Sequence, residues 1–180
     1  MPSDPILVTE RLVLRPLTPQ DLDALHSIQS DAEHMRFYPH PFSRDETADW
    51  IERRRAEVDE RGHSLWAVQD RVTGEFLGNV GPTRTSVDDL DEVELGWSIT
   101  PARAREGIAS EAAAACRDWC WANLAIDHVI SLIRPENEAS RGVAERIGMT
   151  VWKETIYGDA GWTHLVYRVD RVPTTRPTTA

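Results

Sequence analysis

The chain has 180 residues, 41% hydrophobic and 28% charged, which predicts a single globular domain with its own core. Its formal net charge of −10 disfavours a nucleic-acid-binding surface, because phosphate repels an acidic protein. No apolar run approaches the roughly 18 residues of a membrane span, and the first ten residues lack the features of a signal peptide, so we expect a cytoplasmic protein without membrane contact.

The negative net charge is compatible with a cationic or amine-bearing substrate. An acidic surface that only aids solubility is the simpler explanation of this charge. Cys116 and Cys120 are four residues apart on a predicted helix and are expected to be reduced core residues. The histidines show no spacing typical of metal ligands, and we predict no metal site.

The first half of the chain predicts a strand, two helices and then a hairpin. Thr18 to Asp21 has the composition of a helix start, and Ser43 to Glu46 is a capping box. The elements in order are a strand at 10–17, a helix from 18, a loop or broken helix at 34–42, a helix from 43 to about 60 ended by Gly62, hairpin strands at 64–69 and 76–82, and an acidic loop at 87–92.

The stretch from residue 94 to residue 115 is the part around which we expect the fold to be organised. Glu94–Ile99 predicts a strand that ends before Pro101, because proline cannot donate to a strand ladder. Helix-forming residues begin at about Ile108 and continue to about Asn123. The expected buried stripe of this helix comprises Ile108, Ala112, Ala115, Cys116, Trp119 and Cys120.

A short arginine-rich loop joins this strand and this helix. Gly107 permits a tight turn and the close approach of a ligand. The amides of residues 108–111 form a helix N-terminus, which attracts phosphate, and Arg103 and Arg105 strengthen the attraction. The segment therefore predicts a diphosphate-binding loop.

The last third of the chain predicts a strand at 127–133, a helix at 140–147 that ends at Gly148, and two strands at 149–157 and 163–169. Residues 1–170 are then one domain, and residues 171–180 are expected to be a disordered tail. The order β-α-α-β-β-β-α-β-α-β-β indicates an α/β (α+β) protein with a mixed sheet of about seven strands and helices on both faces.

Four motifs in this order resemble the GNAT superfamily of acyl-CoA-dependent N-acetyltransferases, and within it the ribosomal-protein-alanine acetyltransferase type. They cover about residues 9–170 and are TERLVLRPLTPQD at 9–21, the hairpin segment Gly74–Asn79, the loop followed by ASEA at 109–112, and Pro135–Arg141 with Arg146–Met149. The chain departs from the family pattern at Ala104, where glutamine or arginine is usual, at Arg105, often glycine, and at Met149, usually phenylalanine.

The resemblance implies a mostly antiparallel sheet whose two central strands splay apart, with acetyl-CoA as co-substrate in the gap. The CoA-binding residues that it implies are Trp97, Ser98, Ile99, Arg103, Arg105, Glu106, Gly107, Ile108, Ala109, Ser110 and Asn137. Glu106 would weaken phosphate binding unless it points toward an arginine. Asn137 would bond the pantetheine or an ordered water, and a helix cap is the alternative for this side chain.

The same resemblance implies the catalytic residues. Glu94 is the candidate base, acting through a water molecule, with an exposed ion-paired carboxylate as the alternative. Ser140 would assist the leaving thiolate, or else act as a second cap residue. Tyr157 and Tyr167 are candidate acids, although strand aromatics usually serve packing. The side chains expected near an acceptor pocket are Arg36, Tyr38, Trp50 and Trp162.

The predicted function is acetyl-CoA-dependent transfer of an acetyl group to a primary amine, on a small molecule or a protein N-terminus. An inactive CoA-binding sensor of the same fold is the alternative. A nucleotide-binding protein of another class is disfavoured, because neither a G-x-G-x-x-G nor a P-loop motif is present. The sequence leaves the acceptor undefined and a homodimer open.

Overall fold

The computed structural model describes residues 4–172. Within them lie eight strands and four α-helices, in the order β1 Leu7–Val8, β2 Leu12–Arg15, α1 Leu22–Gln29, α2 Arg44–Arg61, β3 Trp66–Asp70, β4 Phe76–Val87, β5 Leu90–Ile99, α3 Ile108–Asn123, β6 His128–Ile133, α4 Glu138–Arg146, β7 Thr150–Tyr157 and β8 Trp162–Asp170. Most of the tail predicted at 171–180 lies outside the described residues.

All eight strands form one sheet in the order β1-β2-β3-β4-β5-β6-β8-β7. Every neighbouring pair is antiparallel except β5 and β6, which are parallel. The predicted mixed, mostly antiparallel sheet is confirmed. It has one strand more than expected, because the two-residue β1 pairs with β2 and is too short to leave a pattern in the sequence.

The helices cover both faces of the sheet, as predicted. Helices α3 and α4 pack on one face with the main core, which contains Trp66, Ala112 and Ala144. Helices α1 and α2 pack on the other, around Leu25 and Ile51. These apolar contacts supply most of the driving force for folding, at about 25 cal/mol per Å² of buried apolar surface.

The predicted caps set the ends of α2. The hydroxyl of Ser43 accepts a hydrogen bond from the amide of Glu46, and the carboxylate of Glu46 accepts one from the amide of Ser43. Gly62 follows the last turn with a φ of +77°. The start predicted at Thr18 is instead a short 3₁₀ turn at Pro19–Asp21, after which α1 begins at Leu22.

The prediction that β4 ends near Pro82 and that an acidic loop follows is wrong. Strand β4 continues to Val87 and β5 begins at Leu90, so that Pro82 pairs with Leu95 inside the ladder. Since the hydrogen-bonding groups of successive residues alternate in direction, Pro82 faces away from β5, and its carbonyl accepts from the buried His63. The missing amide proton of the proline therefore removes no bond between β4 and β5.

A two-residue turn replaces most of the expected acidic loop. Asp88 and Asp89 have φ angles of +51° and +64°, which aspartate tolerates better than most residues. The carboxylate of Asp88 accepts bonds from Lys153 and Thr155 on β7. These bonds fix the tip of the β4–β5 hairpin against the edge strand.

The predicted core role of the two cysteines is confirmed: both are buried, free thiols on α3. Burial raises the pKa of Cys120 to about 12, so its thiol stays protonated. Ala115 and Trp119 are only half-buried, whereas Ala113 joins the stripe. No helix within residues 4–172 is long and apolar enough to cross a membrane.

Candidate active site

Strands β5 and β6 part immediately after they meet. A single residue pair, Glu94 and Ile130, joins them. Beyond it β5 pairs only with β4, and β6 only with β8. At the vertex, the buried Ser131 hydroxyl donates to the Leu95 carbonyl at 2.7 Å. The expected gap between the central strands is present, and Ser131, which the sequence analysis did not single out, closes its narrow end.

We expect replacement of Ser131 by alanine to lower the free energy of unfolding by about 1–2 kcal/mol, because a buried hydrogen bond between the strands is lost. Urea denaturation measures the change. In the control Ser27→Ala, the lost bond is local and exposed, to Ala24 within α1, and stability should hardly change. Equal stability of Ser131→Ala and the natural protein would contradict the bridging role.

Strand alternation determines which backbone groups of β5 face the gap. The Thr100 amide donates to the Leu77 carbonyl of β4, whereas the Leu95 carbonyl faces β6. Trp97 and Ile99 therefore direct their backbone groups into the gap, and Ser98 directs its own toward β4. The prediction that Ser98 offers backbone bonds to a pantetheine arm needs this correction. Its hydroxyl lies 2.8 Å from Nε2 of His34.

The predicted diphosphate loop has an uncapped helix N-terminus. Gly107 occupies the cap position of α3 with a φ of +80°. Within the described chain, no protein group accepts a hydrogen bond from the amides of Gly107, Ile108, Ala109 or Ser110. Four N–H groups therefore converge at the positive end of a 16-residue helix. The Ile108 side chain points into the core, so only its amide is available.

The two arginines of the loop differ in their surroundings. Arg103 donates to Glu106 at 3.0 Å and to Glu75 at 2.5 Å, with Asp70 3.8 Å away. It therefore holds the Glu106 carboxylate to one side, and its own charge is balanced by acids, which differs from the phosphate-binding role expected for it. Arg105 is exposed, has a φ of +67° and makes no ion pair with any described residue.

Arg11 is a cation beside the loop that the sequence analysis did not assign. It donates through Nη1 to the Glu106 carbonyl at 3.0 Å and through Nε to Glu111 at 2.6 Å. The hydroxyl of Thr9 also donates to Glu111. Glu111, in the first turn of α3, thus connects the segment just before β2 to the start of α3. This contact places the Arg11 guanidinium next to Gly107. No local pattern links positions 100 residues apart, so only the fold reveals this contact.

Glu94 lies at the vertex of the gap, on the same face of β5 as Gly96 and Ser98, as strand alternation predicts. Oε1 lies 3.4 Å from the Leu132 amide, a long hydrogen bond. Burial raises the pKa of Glu94 to about 7, and the Leu132 amide and the nearby Arg54 charge offset only part of this rise. Such a carboxyl can accept a proton near neutral pH. The alternative of an exposed ion-paired carboxylate is not what the structure shows.

A cleft of about 330 Å³ opens beside Glu94 and runs through the gap between the strands. Its walls are mostly aromatic or apolar. The lining residues are Phe37, Tyr38, Pro39, Glu94, Leu95, Gly96, Trp97, Ser131, Leu132, Ile133, Arg134, Asn137, Ser140, Tyr157, Gly158, Asp159, Ala160, Trp162 and His164. Tyr38 is 48% exposed, and partial desolvation at the cleft, followed by the Glu94 charge, raises the pKa of its phenol.

Asn137 and Ser140 both line this cleft from the start of α4. The Asn137 side chain caps the helix, since its Oδ1 accepts from the Ser140 amide at 3.1 Å. Its side-chain NH₂ donates to no described residue. The cap moves the start of α4 to Glu138, two residues earlier than predicted. The Ser140 hydroxyl bonds no described residue, so it is not a second cap.

The two candidate tyrosines occupy different environments. Tyr157 lines the cleft, and its hydroxyl lies 2.7 Å from that of Thr85. Tyr167 is 1% exposed and lies outside the cleft, where its hydroxyl bonds Arg141 and Glu145. The alternative of Tyr167 as an acid is therefore wrong: this side chain packs α4 on the sheet.

The expected acceptor-pocket residues divide in the same way. Tyr38 and Trp162 line the cleft, whereas Arg36 and Trp50 do not. Arg36 pairs with Glu33 on the surface, and Trp50 lies under Arg54. Among the described residues, no group of three or more His, Cys, Asp or Glu side chains is placed to hold a metal ion.

Parted central strands followed by an open helix N-terminus define the architecture of the acetyltransferases that the sequence resembles. A family model described as acetyltransferase (GNAT) domain matches residues 11–150. The chain belongs to this family of N-acetyltransferases, which confirms the predicted family and enzyme class.

Individual relatives agree with this assignment. The crystal structure of an acetyltransferase from Agrobacterium tumefaciens is similar with a TM-score of 0.81 and 32% identity, over 94% of this chain and 96% of that one. The uncharacterized protein YkkB of Bacillus subtilis is 33% identical over 144 residues, 79% of this chain and 84% of that protein. RimJ of Mycobacterium smegmatis, in complex with CoA-disulfide, shares the fold with a TM-score of 0.70 and 22% identity, over 88% of this chain and 81% of that one.

Proposed function

We propose that the protein transfers the acetyl group of acetyl-CoA to a primary amine by direct attack on the thioester. The observation that carries the proposal is that two features lie in succession along one segment of the chain. The gap beside Glu94 opens along β5, and the loop that follows β5 leads to the uncapped amides of residues 107–110.

The loop residues fit the diphosphate of CoA. The four free amides and the end of the helix dipole favour an anion. A side chain at Gly107 would fill the space in front of Arg11, since an added Cβ would lie 3.6 Å from Nη2. Because Arg103 holds the Glu106 carboxylate aside, that carboxylate does not oppose phosphate binding as strongly as expected. Arg105, which makes no ion pair with any described residue, supplies nearby positive charge, and Arg11 adds a guanidinium beside Gly107 whose charge is shared with Glu111.

The backbone groups of Trp97 and Ile99 would bond the pantetheine arm in the way that β6 would otherwise bond β5. The NH₂ group of Asn137 is a further donor on the opposite wall of the cleft. Acetyl-CoA supplies an activated acyl group as a thioester. An amide of β5 at the gap would polarise its carbonyl as charge develops there.

Glu94, as a carboxylate, would take the proton from the attacking ammonium group, directly or through a water. The amine nitrogen then forms the bond to the acyl carbon, and the carbon–sulfur bond breaks. The Ser140 hydroxyl, which bonds no residue within 4–172, would donate to the leaving thiolate. Tyr157 remains the alternative acid at the edge of the cleft.

Release of free thiol from acetyl-CoA tests this function. The panel contains peptides with free N-termini, lysine, polyamines and small amines, and mass spectrometry identifies the acetylated product. We expect amine-dependent thiol release from at least one class. Failure of every amine, with CoA still bound in calorimetry, would contradict transfer and support the sensor alternative.

A further inference from the structure

The Arg134 side chain, just beyond β6, lies at the wall of the cleft and makes no hydrogen bond to any residue that the structure describes. Its guanidinium carbon lies 4.3 Å from the centre of the Trp162 ring. Its Nε is fully buried and has no hydrogen-bond partner among the described residues. The nearest carboxylate, on exposed Glu136, is 3.5 Å away as a loose ion pair.

Buried guanidinium donors are normally satisfied, and among the described arginines only Arg54 and Arg134 have a buried Nε without a partner. Arg54 lies outside the cleft, whereas Arg134 lines it. Arg15, for comparison, makes two hydrogen bonds to Asp21 and one to Gln69. Contact with Trp162 restrains the Arg134 guanidinium, and the side chain is 20% exposed, so its outer Nη groups remain accessible as a planar pair of donors. Carboxylates match such a pair with two parallel hydrogen bonds.

Arg134 supplies the positive charge in this part of the cleft, because the neighbouring histidine is neutral and the neighbouring carboxylates are exposed to solvent. His164 bonds the Trp162 carbonyl through Nδ1, and burial, with a smaller effect of the Arg134 charge, lowers the pKa of His164. Its imidazole is therefore neutral near pH 7. Asp159 also lines the cleft, but it is exposed on the β7–β8 turn, as is Glu136 on its own turn.

Glu94 and Arg134 both line the cleft. Glu94 contacts the amide of Leu132, and Arg134 follows Leu132 by two residues, which is roughly 6–7 Å of backbone in an extended chain. The two side chains can therefore contact opposite ends of one small acceptor. The cleft of about 330 Å³ is at the small end of ligand pockets, and the pantetheine arm would fill part of it, so the remaining space suits a small acceptor. The aromatic walls suit an apolar body.

We propose that the acceptor is an amine of amino-acid size that carries a carboxylate, which the stacked Arg134 guanidinium binds. This inference rests on the proposed acetyl transfer. Arg134 acts as a specificity-determining residue: it recognises the end of the acceptor remote from the amine and leaves proton transfer to Glu94.

Matched acceptors test the proposal. Each amino acid, from glycine through 4-aminobutanoate to 6-aminohexanoate and phenylalanine, is compared with the amine that lacks its carboxylate. We expect kcat/KM to favour the best acid over its partner amine by about 10- to 100-fold, the range of a charge-assisted hydrogen bond. In Arg134→Gln this ratio should fall to about one, because the KM for the acid rises. Arg134→Lys should restore only part of the ratio.

The control Arg168→Gln removes another arginine stacked on a tryptophan, since Arg168 lies 5.0 Å from the Trp152 ring outside the cleft. Its acid-to-amine ratio should match that of the natural protein. Equal use of acids and amines, or an Arg134→Gln variant that keeps the preference, would overturn the carboxylate site while acetyl transfer stands. Peptides as the only acceptors would overturn it as well.

A binding readout separates this proposal from the failure of acetyl transfer. The melting temperature of the CoA complex is measured with each acid and each amine. Stabilisation by an acid alone, lost in Arg134→Gln, would support the site even where no product forms. No stabilisation and no product with any acid would overturn it.

Discussion

Replacement of Glu94 by glutamine is expected to lower kcat/KM for acetyl transfer by about 10²- to 10⁴-fold, the usual contribution of a positioned general base. Glutamine preserves the size of the side chain and can still contact the Leu132 amide, so the loss reports proton transfer. Initial rates of thiol release measure it. Glu154→Gln, an exposed strand glutamate outside the cleft, is the matched control and should retain full activity.

The pH dependence separates a base from a structural role. For an aromatic amine that stays neutral across the range, log kcat/KM should rise with pH up to the pKa of Glu94, about 7, and then level off. Glu94→Gln should lose this rise. A profile that is the same in both proteins would contradict the assignment of Glu94 as the base.

The raised pKa of Glu94 also has a consequence for stability. Its ordinary value is 4.5, so between that pH and about 7 the folded protein holds a proton that the unfolded chain has released. Stability therefore falls as pH rises through this window, by an amount on the order of 3 kcal/mol. At pH above 7 the Glu94→Gln variant should melt at a higher temperature than the natural protein, although it is nearly inactive.

Replacement of Gly107 by tryptophan is expected to raise the Kd for CoA by about 100-fold or more. A side chain at a φ of +80° strains the turn and occupies the space in front of the free amides. Loss of two charge-assisted hydrogen bonds, at about 1.5–3 kcal/mol each, is enough for an effect of this size. Titration calorimetry with CoA measures the change, and circular dichroism checks the fold.

Gly62→Trp is the matched control for this substitution. Gly62 has a φ of +77°, and an added Cβ meets no atom within 4 Å, so the variant carries the same backbone strain away from the loop. It should bind CoA as the natural protein does. Unchanged CoA affinity in Gly107→Trp would count against the diphosphate loop.

Sequence patterns correctly predicted those features that depend on interactions between residues close together in the chain. The capping box at Ser43 and Glu46 and the glycine at 62 set the ends of α2. Gly107 between a strand and a helix correctly indicated a tight turn, which the structure forms with a φ of +80°. The order of motifs gave the family, and with it the parting of β5 and β6, which no periodicity in either strand reveals.

The sequence was insufficient where a partner is distant along the chain. Arg103 was expected to meet phosphate because Glu75, 28 residues earlier, is not visible as its partner. The same is true of Arg134 and Trp162, whose stacking depends on the return of β8 beside β6. Pro82 was misleading for another reason: a proline ends a strand only if its amide faces a partner strand, and the ladder register decides that.

A crystal structure of the protein with CoA tests the central claim most directly. It should show diphosphate oxygens within about 2.7–3.2 Å of the amides of residues 107–110, and the pantetheine arm between β5 and β6 beside Trp97 and Ile99. CoA bound elsewhere, with those amides facing only solvent and the gap closed, would contradict the account.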